Sequence, residues 1–286
     1  PYTAPGLKST QALPEFYQGA TADYVKVDGK WVDGMAQDNM LTALQNLQDA
    51  YTAGLIDQEA ITNTTSSCRD EWYAGTVGCF PYWGGLWGET LTVRLKQNVP
   101  DAEVIALPPI EGATYLYSAP SVQVISSKLS DEQVASVYKY FIEYMHDGGE
   151  GQVLFQSGVE GVHWQQSGNN IDPLPTISKP AEAFRKAWIT PWLALTPMTA
   201  TDKNVEVSQE VTDSLAVVSA NAKNISVFPV SEQRTMITSD LTTTRENIIS
   251  RVAMGQLTPE EGMAEYKAQA ETLNVAQALE EMNANA

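Results

Sequence analysis

Short apolar runs alternate with capped amphipathic helices along most of this chain, and this alternation limits the folds that are open to it. Asp38 can cap a first helix, in which Met40, Leu44, Leu47 and Tyr51 recur at helical spacing. Two further helix starts are better marked. Ser130 and Gln133 form one capping box. Thr258 and Glu261 form another, in which Pro259 takes the first helical position. We therefore expect a helix after each of these caps and a short helix at 180–188, separated in sequence by strands and loops.

The apolar runs outside the helices are predicted as strands, at 76–81, 102–109 and 121–126. Alternating apolar residues on both sides of Asp28-Gly29 predict a β-hairpin. Strands that alternate with helices indicate an α/β fold. Several connections are too long for a simple doubly wound sheet, so we expect a chain that crosses between two lobes more than once.

The charge of the chain is one-sided and excludes some partners. Asp and Glu number 35 and Lys and Arg number 17, which gives a formal net charge of -18. A field of this sign repels phosphate backbones, so we expect no nucleic-acid partner. Anionic membrane surfaces are disfavoured for the same reason. No apolar run reaches the ~20 residues of a membrane-spanning helix.

The chain lacks the sequence motifs of common enzyme classes. It contains no GxSxG, P-loop, GxGxxG or HExxH pattern. The only histidines are His146 and His163, and no CxxC pair is present, so we expect neither a metal site nor a cofactor. Cys68 and Cys79 fit either a disulfide or two buried thiols.

Aromatic residues are concentrated between glycines in the stretch GTVGCFPYWGGLWGE, residues 75–89. Trp72 and Phe80 are expected in the core. Trp83 and Trp87 are each followed by glycine, where a regular element does not easily continue. Rings at such turns can present flat faces to the apolar C–H faces of sugars, while nearby polar groups satisfy the hydroxyls. Trp83 and Trp87 are therefore either packing residues or part of a carbohydrate-binding surface.

Several phrases of the chain, taken together and in order, resemble the extracellular solute-binding proteins of ABC importers. The nearest group is the maltose-binding-protein-like, carbohydrate-binding lipoproteins of Gram-positive bacteria. The resemblance covers most of 38–165 and 231–275. The phrases are LQNLQDAYTAGLIDQEAITN, EWYAGTVGCFPYW, VIALPPIEG, SDEQVASVYKYFIEYM, GVEGVHW and RVAMGQLTPEEGMAEYKAQAETLNV.

The resemblance implies two α/β lobes joined by hinge strands, with the ligand bound between them and no chemistry performed on it. Closure on the ligand would be a hinge-type change between two states. The resemblance also implies that Trp83 is the main residue that stacks on the ligand. Tyr82 or Trp87 comes second, and His163 and Trp164 are weaker candidates. The segment TSDLTTTREN lacks the aromatic residue that related proteins carry there, which argues against a maltodextrin site.

Members of this family usually run to roughly 400–550 residues, so the resemblance implies that the chain is the C-terminal portion of a longer protein. We then expect 1–105 to be a second-lobe segment with a hinge strand. Residues 106–225 would return through the first lobe or the interface, and 226–286 would form the last helices of the second lobe. The expected partners are a carbohydrate and the importer's permease subunits, and another chain could supply the N-terminal part. The full-length parent would be extracellular and lipid-anchored.

Two other classes of function remain open. A carbohydrate-active hydrolase would need two carboxyl groups ~5–10 Å apart beside the aromatic residues. A surface interaction protein without a small-molecule ligand would bury Trp83 and Trp87. The ligand of a binding protein could also be a peptide.

Overall fold

The computed structural model describes residues 1–8, 12–108, 115–117, 123–174, 198–204, 208–224 and 227–286. The chain divides into two compact units. Unit 1 comprises Pro1–Ala119 and Gln209–Ala286, and unit 2 comprises Pro120–Ser208. The predicted lobe boundaries at 105 and 225 stay a prediction. The helix expected at 180–188 lies outside the described residues.

The described elements alternate along the chain, with helices in the majority. The helices are α1 Pro14–Tyr17, α2 Asn39–Thr52, α3 Thr65–Ala74, α4 Leu86–Asn98, α5 Asp131–Val137, α6 Glu150–Ser157, α7 Gln209–Asn221, α8 Glu232–Ala253, α9 Pro259–Thr272 and α10 Val275–Ala284. The strands are β1 Tyr24–Val27, β2 Lys30–Asp33, β3 Tyr115–Tyr117, β4 Trp164–Ser167, β5 Asn170–Pro173 and β6 Ala222–Asn224.

The strands form three two-stranded sheets within the described residues. β1 and β2 make an antiparallel hairpin, and so do β4 and β5. β3 and β6 pair in parallel, although more than a hundred residues of chain separate them. Asp28 and Gly29 connect β1 to β2 with φ values of 50° and 80°, the left-handed geometry that a tight two-residue hairpin turn requires. The hairpin predicted at this dipeptide is confirmed.

The core of unit 1 lies where α2, α8, α9 and α10 meet. α8 packs against each of the other three helices, and α10 also covers β2. Met40, Leu44 and Leu47 recur at helical spacing on α2 and are fully buried. On α8, Ile248 and Ile249 face the same cluster. This apolar set holds the C-terminal helices against the early part of the chain.

The predicted helix caps are largely confirmed. Ser130 accepts the N–H of Gln133, and Thr258 accepts that of Glu261, each in a reciprocal capping box. Asp38 does not cap α2, because its own backbone is already helical and its side chain makes no capping hydrogen bond. In this chain the reciprocal capping boxes identify helix starts correctly, and the single aspartate does not.

The three strands predicted from apolar runs are wrong where the structure describes them. Residues 76–83 are irregular apart from one bridge between Cys79 and Tyr2. Residues 102–108 and 123–126 are also irregular, and Ile105 is 74% and Val124 is 87% exposed. A strand needs a hydrogen-bonding neighbour as well as an apolar pattern, and these segments have no ladder partner among the described residues.

Unit 2 has a small apolar core of its own. α5 continues into a wide π-helical turn at Tyr138–Glu143. The core consists of Val153 from α6, Trp164 and Ile171 from the β4–β5 hairpin, and Met198 packed at its edge. No helix in the described parts of either unit is long and apolar enough to cross a membrane.

Asp147 fixes the start of α6. One carboxylate oxygen accepts the N–H groups of Gly149 at 2.7 Å and Gln152 at 3.0 Å, and the other accepts that of Gly151 at 3.0 Å. Burial raises the pKa of this carboxyl, but the three backbone donors outweigh burial and hold the pKa below its ordinary value of 3.8. The ionised carboxylate therefore stabilises the folded state.

We expect Asp147→Asn to lower the free energy of unfolding by about 1 kcal/mol at pH 7, because the amide keeps one acceptor oxygen but loses the negative charge and the second acceptor. Because the folded pKa is depressed, the carboxylate contributes fully above its unfolded pKa, and this contribution is lost as pH falls through the folded pKa. Urea unfolding at pH 7 and at a pH below the folded pKa measures this. A penalty that stays constant across that range would contradict the electrostatic origin.

Candidate ligand-binding site

The aromatic segment is held between α3 and α4 of unit 1. Thr64 begins α3 with a capping box to Ser67, and Gly75, at φ 72°, ends it. The chain then runs irregularly to Gly85, which immediately precedes α4 and has a φ of 73°. The backbone N–H of Gly85 donates to Ser214 Oγ at 3.3 Å. A Cβ on the preceding glycine would lie 3.1 Å from the same Oγ. The paired glycines thus let this turn approach α7 closely.

Four partly buried rings form a continuous aromatic row, made of Trp72, Phe80, Tyr82 and Trp87. The ring centroids of Trp72 and Phe80 are 6.2 Å apart. Phe80 and Tyr82 stack at 4.9 Å, and Tyr82 meets Trp87 edge-on at 5.0 Å. Offset and edge-to-face contacts of this kind are favourable beyond the area that they bury. The aromatic row therefore makes a stiff support for the turn that follows Tyr82.

Trp83 is the exposed member of this segment. Its side chain is 60% exposed, although its neighbour Tyr82 is held in the aromatic row. A large apolar ring at the surface, set on a supported turn, is available for stacking. Trp72 and Phe80, which we expected in the core, are only partly buried and belong to the support.

Two arginines lie against the aromatic residues, and the sequence patterns did not single them out. The Arg69 guanidinium carbon is 5.4 Å from the centroid of Trp87, and Nη1 of Arg69 donates to the Tyr82 hydroxyl at 3.4 Å. Arg94 lies 5.5 Å from the centroid of Tyr73. Burial raises the pKa of Tyr73, while the charges of Arg94 and Arg69 lower it. Both cations therefore act on the same ring.

The candidates from unit 2 have different surroundings. Trp164 is 3% exposed, lies in the core of that unit, and donates its indole N–H to the Gly158 carbonyl at 2.8 Å. It therefore serves packing and presents no open face. His163 is partly buried, and its Nδ1 accepts the N–H of Val159 at 2.9 Å. The GVEGVHW loop is thus folded around its own side chains.

The two cysteines are free thiols, with Cys68 buried and Cys79 partly buried. Burial raises the pKa of both thiols, and it raises that of Cys79 to about 11. Both therefore stay protonated at neutral pH, which disfavours nucleophilic chemistry. Within the described residues, no three His, Cys, Asp or Glu side chains come together as a metal site would require.

Comparison with known proteins identifies the fold. No protein-family model matches the sequence, and no curated protein matches it. Among solved structures, the crystal structure of the alginate-binding protein AlgQ2 without calcium ion is similar, with a TM-score of 0.59 and 16% identity. The match covers 95% of this chain and 61% of that one.

The chain has a two-lobe, periplasmic-binding-protein-like α/β fold. The fold class expected from the sequence is thereby confirmed. At this identity the likeness concerns the fold alone, and the chain spans about three fifths of the matched protein's length. The role of Trp83, Tyr82, Trp87 and His163 in binding stays a prediction.

Proposed function

We propose that this chain is part of the extracytoplasmic substrate-binding component of an ABC importer, and that it binds a carbohydrate by stacking on Trp83. The observation that carries the proposal is the 60% exposure of Trp83 on a turn supported by the aromatic row. The shared fold with an alginate-binding protein supports binding rather than catalysis.

Tyr82 and Trp87 take supporting roles in this proposal. Their edge-to-face contact at 5.0 Å holds the turn that carries Trp83. His163 belongs to unit 2 and is kept as the weakest candidate. We leave Trp164 out, because its ring and its indole N–H are both occupied within unit 2.

The wider assignments follow from the same proposal. The partner would be the permease pair of the importer, and the parent protein would lie outside the cytoplasm, held to the membrane by a lipid anchor as in Gram-positive lipoproteins. A thermal-shift screen against oligosaccharides, alginate fragments included, tests ligand class directly, because a ligand that binds the folded state raises its melting temperature. A shift from peptides alone would replace the carbohydrate assignment.

We expect Trp83→Ala to weaken the affinity for the stacked carbohydrate by ~1–3 kcal/mol, about 5- to 150-fold, with little loss of stability. The reason is that truncation removes the stacking face but leaves the aromatic row in place. Trp83→Phe should retain part of the affinity, since a smaller ring still stacks. Titration calorimetry of the three proteins against the first oligosaccharide hit measures these effects.

Leu55 offers a matched control because it is also 60% exposed and also lies in unit 1. Leu55→Ala should leave carbohydrate affinity unchanged. If Trp83→Ala instead keeps full affinity and lowers the melting temperature, Trp83 is a packing residue and the proposed site is wrong.

A further inference from the structure

The helix that begins after Ser130 has an apolar face that the described part of the chain leaves largely uncovered. α5 and the π-helical turn at Tyr138–Glu143 follow one another without a break, and no residue of either is buried. Apolar residues nevertheless recur along this helix at helical spacing, a pattern that usually marks a packed face. These residues, named here the α5 face, are Val134, Val137, Tyr138 and Phe141.

A groove of about 320 Å³ lies beside the α5 face, within unit 2. One side of the groove is the helix itself, and the other side is the extended segment 123–126 together with Leu129. Neither Val124 nor Ile125 makes a backbone hydrogen bond to another described residue. An extended segment whose N–H and C=O groups are unpaired is an open edge, and such edges favour association with another chain.

The exposed apolar area at this surface is large. Six side chains are exposed by 36% to 87%: Val124, Val137, Tyr138, Tyr140, Phe141 and Tyr144. If a whole aromatic side chain presents ~200 Å², the exposed parts of these six amount to roughly 600 Å². That is the upper end of the ~300–600 Å² that the largest apolar patch on a monomeric protein covers. Two such faces in contact would bury ~1,200 Å², the lower end for stable interfaces, so the area fits a reversible dimer.

The local charge permits a second copy to approach this surface. Two chains that each carry a net charge of -18 repel one another over most of their surfaces. Residues 123–145, however, contain two lysines, Lys128 and Lys139, and three acidic residues, Asp131, Glu132 and Glu143, which gives a net charge of -1. Because charges are screened over roughly 8 Å at physiological salt, the near-neutral segment escapes most of the repulsion.

The shape of the surface also suits a copy of itself. A two-fold axis brings the same face of both copies together, so each feature of the face must find its complement on that same face. Here the groove and the exposed rings of the helix lie side by side. Each copy can therefore place the rings of its helix against the groove of the other.

We propose that the α5 face and its groove bind the same surface of a second copy of this chain, which gives a reversible two-fold dimer through unit 2. Burial of the exposed rings drives the association, and the open edge at 123–126 adds backbone donors and acceptors at its margin. Trp83 belongs to unit 1, so this inference does not depend on the proposed carbohydrate site.

The test is sedimentation velocity of the wild-type chain and its variants from about 1 to 200 µM, a range that brackets micromolar dissociation constants. Val124→Glu, Tyr138→Glu and their combination place charge on the surface. Both side chains are exposed and make no described hydrogen bond or ring contact, so the fold does not depend on them. Ser136→Glu adds the same charge to the same helix away from the apolar positions, and Val230→Glu adds it to an exposed valine of unit 1. Melting temperatures establish that each variant is folded.

We expect the wild-type chain to pass from monomer to dimer within this range. Val124→Glu and Tyr138→Glu should each weaken the dimer at least about 10-fold, because each places two charges in an apolar contact, and the double variant should stay monomeric. Ser136→Glu and Val230→Glu should dimerise like the wild type. Added salt should strengthen the dimer, because it screens the repulsion between two acidic chains and leaves the apolar contact in place.

Hydrogen exchange of the wild-type chain gives a second test that needs no variant. Exchange of the Val124 and Ile125 amides should slow as the concentration rises through the dimerisation range. Exchange in α10, whose apolar side is packed within unit 1, should stay the same.

Three results would overturn the proposal. A wild-type chain that stays monomeric at the highest concentration shows that a second copy does not cover this surface. A dimer that survives in the double variant, or that forms without slowing exchange at Val124 and Ile125, uses another interface. Species larger than a dimer show that the contact does not close around a two-fold axis.

Discussion

Replacing Arg245 with methionine is expected to lower the free energy of unfolding by about 3–5 kcal/mol, because the change leaves a buried carboxylate without its counter-ion. Arg245 is 3% exposed on α8. Its Nη2 donates to Asp33 Oδ1 at 2.7 Å, and its Nε donates to the Tyr266 hydroxyl at 3.2 Å. Tyr266 in turn donates to Asp33 Oδ2 at 2.6 Å. All three side chains are therefore mutually satisfied inside the unit.

A second carboxylate extends this network toward solvent. Nη1 of Arg245 is 3.3 Å from Asp23 Oδ1, and the Asp23 side chain is 60% exposed. Asp23 is therefore largely solvated by water and contributes less than Asp33 does. Burial raises the pKa of Tyr266, and Asp33 adds to the rise while Arg245 opposes it. Tyr266 thus remains a hydroxyl donor throughout the neutral range.

Urea unfolding of three variants tests the Arg245 prediction. Arg251→Met is the matched control: it removes an arginine from the same helix, but its partner Glu265 is partly exposed, so a loss of no more than about 1 kcal/mol is expected. The double variant Arg245→Met/Asp33→Asn should recover part of the loss, because the asparagine side chain keeps an acceptor for the Tyr266 hydroxyl without a buried charge. A cost for Arg245→Met no larger than that of Arg251→Met would refute the buried-charge account.

How much of this fold could be predicted depends on whether its determinants are local. The hairpin at Asp28-Gly29 and the capping boxes at Ser130 and Thr258 follow from residues close to one another in sequence, and each is confirmed. The burial of Met40, Leu44 and Leu47 on one face of α2 also follows from local spacing. Such features are set by short-range sterics and hydrogen bonds, which a sequence displays directly.

The strands and the polar network depend on partners far away in the sequence. β3 finds its parallel partner in β6, and Arg245 finds Asp33 across 212 positions. An apolar run such as 102–108 shows the same pattern whether or not a partner is present. Nothing within a short window distinguishes a paired strand from an unpaired extended segment, which is why these predictions fail.

In the candidate site too, the residues marked by local sequence were predicted and the contacts made by packing were not. Its aromatic residues were found because rings and glycines are adjacent in sequence at 80–88. The contact between the Arg69 guanidinium and the Trp87 ring was missed, because it depends on the packing of α3 against α4. One local feature could have drawn attention to it: Arg69 and Tyr73 are four residues apart and share a helix face. Trp164 was found from its sequence phrase, GVEGVHW, but its ring is buried and is not available to a ligand.

Substituting Gly34 with alanine is expected to cost about 3 kcal/mol of unfolding free energy, through overpacking against backbone that has no room to yield. A Cβ at Gly34 would lie 2.3 Å from the Asp23 carbonyl oxygen and 2.4 Å from that of Thr21. The Gly34 N–H also donates to the Asp23 carbonyl at 3.0 Å. The two chain segments must therefore separate, and the hydrogen bond between them must lengthen.

The effect should reach Arg245, because Gly34 directly follows Asp33 and abuts Asp23, both of which are partners of that arginine. Gly78→Ala is the control: a Cβ there meets open space, and the backbone of Gly78 is not left-handed, so a change within about 0.5 kcal/mol is expected. Because both changes strain or loosen one network, Gly34→Ala combined with Arg245→Met should cost less than the sum of the two. Strict additivity in urea unfolding would show that the close approach at Gly34 and the buried ion pair are independent.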